Sequence, residues 1–253
     1  MLVGAVRDDH GTLTGHYLHE LFQAQYLNAF KTSIELSLAT AFGGVLLGGL
    51  IAAAVARPGT PHIVRATVVS FSGVAANFAG VPLAFAFVAT LGTTGMVTRW
   101  LGHLGWDPWQ HGFTLYSFWG LVVTYMYFQL PLMLLVIAPA LDGLRREWRE
   151  GAESLGAPGW RYWLHVGMPV LLPSFLGAFL LLFGNAFSAY ATASALTGGN
   201  VNIVPLLIGA VLNGNVLSDP HLGKALAFGM VVVMSGTVGI YALLARYASR
   251  WQR

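Results

Sequence analysis

The chain of 253 residues contains no cysteine, which excludes disulfides, thiolate metal sites and thiol catalysis. Charge is nearly as scarce. Charged residues make up 9% of the chain against 56% hydrophobic, and the mean hydropathy is +0.65, so a soluble domain would lack the charge to cover its surface. No G-x-x-x-x-G-K-[ST] segment occurs, so the chain supplies no Walker-type nucleotide site of its own. A continuous apolar start is also missing. The opening stretch MLVGAVRDDHGTLTGHYLHE breaks off into polar residues too early for a signal peptide or a span, so residues 1–31 are expected to form an external segment. Its His10, His16 and His19 follow no common ligand spacing, and no metal is expected there.

What is present is a series of long apolar runs, enough for about five transmembrane helices in a single domain over residues 1–253, an all-α polytopic bundle. The first expected span, Thr32 to Ala56, carries Gly44 and Gly48 with Gly43 and Gly49 beside them, a face smooth enough for another helix to approach closely. Glu35 lies within it, at headgroup depth or facing an interface, water or a cation. Arg57, Pro58, Gly59, Pro61 and Arg65 form a basic turn. The second span, Thr67 to Leu91, carries Ser70, Ser72, Asn77 and Pro82, the proline being able to kink it. An aromatic external loop, 92–113, then holds Trp100, Trp106 and Trp109 at the membrane interface. The third span, Thr114 to Leu141, includes Tyr125, Gln129 and Pro131, and the fourth, Val170 to Ala193, ends in GNAFSAYATAS. Residues 197–223 are too broken by Gly, Asn and Pro to span and read as an external re-entrant element, before a last span from Lys224 to Ala245. The net charge is +3, and nine of the thirteen Lys and Arg fall in the segments between or after spans that this order puts in the cytoplasm, including Arg246, Arg250 and Arg253. Basicity therefore reports topology; no clustered patch for nucleic acid is found.

The loop at 142–169 is the most specific feature. Arg145, Arg146, Arg149 and Arg161 place it in the cytoplasm. Glu150 to Leu155 suits a short helix, Gly156 can take the left-handed conformation that ends one, and Pro158 suits the start of the next. The spacing of Glu150, Gly151, Ala152, Gly156, Val166, Met168 and Pro169 resembles the signature loop of permease subunits in binding-protein-dependent ABC importers, whose pattern is Glu-Ala-Ala, three residues, Gly, nine residues, Ile, one residue, Leu-Pro. Gly151, Val166 and Met168 depart from that pattern, and Gly151 lowers helix propensity by about 1 kcal/mol relative to Ala.

The resemblance implies a type I importer permease fold, a bacterial cytoplasmic-membrane location and no enzymatic activity in this chain. It implies ATP-binding cassette subunits that bind ATP and are contacted through Glu150, Gly151, Ala152, Gly156, Arg161 and Pro169. It also implies a second permease subunit, identical or not, and an external solute-binding protein, with lipid around the spans. Such permeases usually carry a further hydrophobic helix ahead of residue 31, so this chain reads as short at its amino end. The fourth span and the following ALTGGNVNIVPLLIG are similar to the polyamine-type subgroup, which extends to iron, thiamine and aminophosphonate transporters.

For the translocation path, Asn185, Ser188 and Thr192 fall at spacings of three and four on one helical face, and Asn77 and Gln129 are polar at span depth. Each has a packing alternative, interhelical hydrogen bonding in particular. Glu35, Tyr125 and Tyr190 would suit a cationic solute. A haem or membrane enzyme would need histidines facing each other within spans, and His62, His103, His111, His165 and His221 fall in loops or at span ends. A stand-alone channel or secondary transporter is the alternative, since polar spans serve it equally well, though it has no need of the loop.

Overall fold

A computed structural model describes residues 19–57, 59–106, 108–213 and 220–249. His10, His16, Pro58, Arg250 and Arg253 lie outside these residues. Every regular element among the described residues is helical. In chain order they are α1 (Ala24–Gly43), a π-helical turn (Gly44–Gly48), α2 (Gly49–Val55), α3 (His62–Asn77), α4 (Val81–Leu91), α5 (Met96–His103), α6 (Phe118–Asp142), α7 (Arg146–Ser154) and α8 (Gly159–Tyr162). A second π-helical turn (Trp163–Gly167) leads to α9 (Met168–Ser188), α10 (Ala191–Thr197), α11 (Val204–Asn213) and α12 (Pro220–Ser249). Five helical stretches are long and apolar enough to cross a membrane: Ala24–Val55, Val81–His103, Phe118–Asp142, Gly159–Ser188 and His221–Leu244.

The chain forms two compact units, each drawn from separated stretches. One comprises residues up to Ala39, Phe78–Tyr125 and Gly184–Gly236. In it Ala29, Val204 and Leu226 are fully buried among Tyr26, Phe30, Leu207 and Met230. Ser33 accepts a hydrogen bond from the Val204 N–H at 2.9 Å, satisfying one of the free donors at the start of α11. Trp109 does the same service at a helix end, its Nε1 donating to the Leu91 carbonyl at 3.0 Å where α4 stops.

The other unit comprises Thr40–Asn77, Met126–Phe183 and the chain from Thr237 onward. Here the glycine face behaves as its spacing suggests. A Cβ on Gly44 would lie 2.6 Å from Leu182 Cδ2, and one on Gly48 would lie 2.7 Å from Met133 Cβ and 2.9 Å from the Leu130 carbonyl oxygen. Backbone therefore packs against neighbouring helices with no room for a methyl group, the means by which apolar helices associate without a hydrophobic driving force.

Three expectations about spans are corrected. The first helix begins at Ala24, eight residues ahead of Thr32, and Glu35 pairs with Lys31 at 3.9 Å one turn back on its exposed face. The single span expected over Thr67 to Leu91 is two helices, α3 and α4. Gly80 separates them at φ 75° and ψ −148°, a conformation closed to side-chain-bearing residues, and Pro82 then sits in the first turn of α4, where its missing N–H is no loss. It starts a helix instead of kinking one. The fourth span stops at Ser188, and after Tyr190 a separate short helix, α10, begins at Ala191. Part of the aromatic loop is helical as α5, and Val204–Asn213 is a helix within the re-entrant element.

Candidate functional site

The loop between α6 and α9 is built by local chain chemistry. Helix α7 ends at Ser154 with Leu155 as its cap, and Gly156 follows at φ 71°. The Gly156 N–H donates to the Glu153 carbonyl at 2.9 Å and the Ala157 N–H to the Ala152 carbonyl at 3.0 Å. These two bonds make a Schellman motif, which satisfies carbonyls left free at the helix end and demands a left-handed residue at the glycine position. Ala152 and Ala157, which close the motif, are both half-buried. Pro158 is extended (φ −65°, ψ 150°) and its carbonyl accepts from the Arg161 N–H at 2.9 Å, opening α8. Glu150, Gly151, Gly156, Arg161 and Pro169 are exposed. So are the apolar side chains of Leu155, at 88%, and Trp160, over whose ring the Arg161 guanidinium lies 5.4 Å from the centroid.

From Gly159 to Ser188 the helix runs without interruption, so the loop continues directly into a membrane span. The π-helical turn Trp163–Gly167 precedes Pro169. A proline has no N–H for the carbonyl four residues back and its ring crowds that carbonyl; a wider turn there relieves both. Gly167 is buried, with the Trp163 ring 2.7 Å from where its Cβ would be.

The polar residues singled out for a translocation path divide into two kinds. Gln129 is fully buried and donates from Nε2 to the Leu182 carbonyl at 2.9 Å, while its Oε1 has no hydrogen-bond partner. Thr192 is buried and its Oγ1 accepts from the Gly80 N–H at 2.8 Å, joining the start of α4 to α10. Asn77, Asn185 and Ser188 are exposed. Asn77 Nδ2 donates to the Gly73 carbonyl at 2.8 Å, and Ser188 Oγ to the Gly184 carbonyl at 2.9 Å. The break after Ser188 removes Thr192 from the face that Asn185 and Ser188 share at the end of α9. Tyr125, raised as a cation contact, is buried and donates from its hydroxyl to the Ala189 carbonyl at 2.9 Å, in that break. Tyr190 is exposed at 40%, its ring against Gly209.

Residues 44–253 match the family described as binding-protein-dependent transport system inner membrane component. The chain belongs to that family. Among curated relatives, the spermidine/putrescine transport system permease protein PotB of Haemophilus influenzae is 27% identical over 122 residues, 47% of this permease and 41% of PotB. The thiamine transport system permease protein ThiP of the same organism is 23% identical over 164 residues, 65% of this permease and 29% of ThiP. A probable sulfate transport system permease protein, cysT of Nephroselmis olivacea, is 26% identical over 211 residues, 82% of this permease and 70% of cysT. The first curated relatives are matched over only 22% to 49% of their own length. Among solved structures, a chain of a bacterial ABC transporter involved in the import of the acidic polysaccharide alginate superposes with a TM-score of 0.77 at 18% identity, covering 97% of the permease and 87% of that chain. A chain of the MetNI methionine ABC transporter gives 0.61 at 14%, covering 90% and 99%. The fold is that of a type I ABC importer permease.

One group escaped the sequence reading. Arg57, Arg65, Arg145 and Arg149 served there as topology markers, and the structure gathers all four around a cleft of about 700 Å³. Arg65 is ion-paired with Asp142, and Arg149 Nε bonds Glu153 Oε1 at 2.9 Å. The available signal was that two basic turns each adjoin the end of an apolar helix.

Proposed function

We propose that this permease is the membrane subunit of an ATP-driven importer in a bacterial cytoplasmic membrane, paired with a second permease subunit and served by separate ATP-hydrolysing subunits and an external solute-binding protein. The observation that carries the reading is the exposed Schellman turn at Gly156, joined through an unbroken helix to Ser188. A helix transmits displacement along its axis, so a partner gripping α7 and α8 can move the end of α9, where Asn185 and Ser188 are exposed, by rigid-body motion. In this reading Glu150 and Arg161 offer charged contacts to the ATPase subunit, and Gly151 and Ala152 form the helix that docks. Gly156 makes the bend, and Pro169 marks where the loop enters the span. ATP is bound and hydrolysed by the partner.

Asn77, Asn185 and Ser188 would line the solute path. Gln129 and Thr192 would serve it by fixing the helices they join, α6 to α9 and α4 to α10. A polyamine is the proposed solute, supported by several spermidine/putrescine permeases among the relatives. Thiamine and sulfate permeases match at similar identity, so solute choice is best sought in the external binding protein. The test is reconstitution in proteoliposomes with the ATPase and binding-protein partners. Uptake of radiolabelled spermidine that needs both ATP and the ATPase subunit supports the proposal, whereas uptake by the permease alone would favour a stand-alone transporter.

A further inference from the structure

The arginine cleft contains none of the residues proposed for the solute path, and its composition points to a ligand. Its walls come from the end of α2 and the turn after it (Ala53, Ala56, Arg57, Gly59, Thr60), from α3 (Arg65), from the end of α6 (Leu141, Asp142) and from the α7–α8 region. Four arginines line it against one carboxylate, Asp142, which is held by Arg65. Glu153, outside the lining, takes Arg149. Among the described residues neither Arg57 nor Arg145 is paired with a carboxylate; Arg145 has only the Trp148 ring, 5.8 Å away. Two arginines lining one cleft without a carboxylate partner leave their guanidinium donors free for a phosphate, which arginine meets through two parallel N–H bonds.

Its surroundings are those of a membrane boundary. The cleft opens where α2 and α6 leave their apolar runs and α3 and α8 begin. Trp163 forms part of its wall, and Ile63, two residues before Arg65, and Leu164, next after Trp163, are 78% and 59% exposed. Indole rings favour the headgroup region, and basic pockets between membrane helices hold anionic headgroups. A free anion would use the arginines alone. An acyl-linked phosphate would use both the arginines and the apolar surface outside.

We propose that this cleft binds the phosphate group of an anionic phospholipid, with Arg57 and Arg145 as its principal contacts. The measurement is native mass spectrometry of the full chain in detergent, titrated with phosphatidylglycerol, with phosphatidylcholine of matched acyl chains, and with inorganic phosphate. Phosphatidylglycerol is expected to bind in preference to phosphatidylcholine. The double variant R57Q/R145Q is expected to lose about 25-fold in affinity, a factor of about five for each arginine removed. R57K/R145K keeps both charges and is expected to retain most of the preference, which separates loss of charge from damage to the fold. Competition by inorganic phosphate at millimolar concentration supports the phosphate site, and phosphate binding without any lipid preference would mean that the anion comes from solution and overturn the lipid assignment. An unchanged preference in R57Q/R145Q overturns the site itself. So does loss of ATPase-subunit co-purification with lipid binding intact, which would make the cleft a protein interface. Because lipid retention is read without transport, failure here leaves the importer reading untouched.

Discussion

Substitution of Gly156 isolates the backbone conformation on which the proposed coupling rests. The residue sits at φ 71°, and a Cβ there would meet nothing within 4 Å, so a side chain adds no collision and the whole effect comes from the dihedral. An L-residue in the left-handed region costs about 1–2 kcal/mol, least for Asn and most for a β-branched residue. Divided by RT, that range lowers the population of the native turn about 5- to 30-fold. The expected order of impairment is therefore Asn, then Ala, then Val. Uptake per folded molecule and substrate-stimulated ATP hydrolysis, both in proteoliposomes with the partner subunits, are the readouts. Gly105 provides the control, since it too has positive φ (85°) and nothing within 4 Å of its Cβ. Gly105→Val is expected to carry a similar backbone penalty while leaving the ratio of uptake to ATP hydrolysis unchanged. If Gly156→Val transported within twofold of the unsubstituted chain, or if Gly105→Val uncoupled transport equally, the turn would not be the mechanical element.

Gly151 lies inside α7 with open space around it, so Gly151→Ala is expected to stabilise that helix by about 1 kcal/mol and to raise affinity for the ATPase subunit, measured by surface-immobilised binding. Gly48→Ala drives a methyl group against the Leu130 carbonyl and Met133, and a loss of about 1–3 kcal/mol is expected in detergent-titrated unfolding. Thr192→Val removes the acceptor for the Gly80 N–H and is expected to cost about 1–3 kcal/mol in the same assay, more than Ser188→Ala, whose hydroxyl bonds only its own helix. Gln129→Met loses one hydrogen bond but also removes a buried oxygen without a partner, so stability is expected to change by less than about 1 kcal/mol; lost uptake in a stable Gln129→Met chain would put Gln129 on the path itself.

Composition and short-range pattern determined a good deal. Scarce charge and long apolar runs required a membrane bundle, because chain surface must match its solvent. The left-handed turn at Gly156 and the smooth face made by Gly44 and Gly48 were readable because each is set by residues within one or two helical turns, although the partners that meet that face lie far off in the chain. Tertiary structure alone decided which polar groups satisfy one another. The Gly80–Thr192 bond joins residues 112 positions apart and gives the buried Thr192 hydroxyl its partner, while the break after Ser188 takes Thr192 off the face of Asn185 and Ser188. The Arg65–Asp142 pair spans 77 positions, and only the folding of those segments together turned four separated arginines into a cleft. Periodicity can say that a polar group at membrane depth needs a partner; which partner it finds is settled by packing between segments distant in the chain.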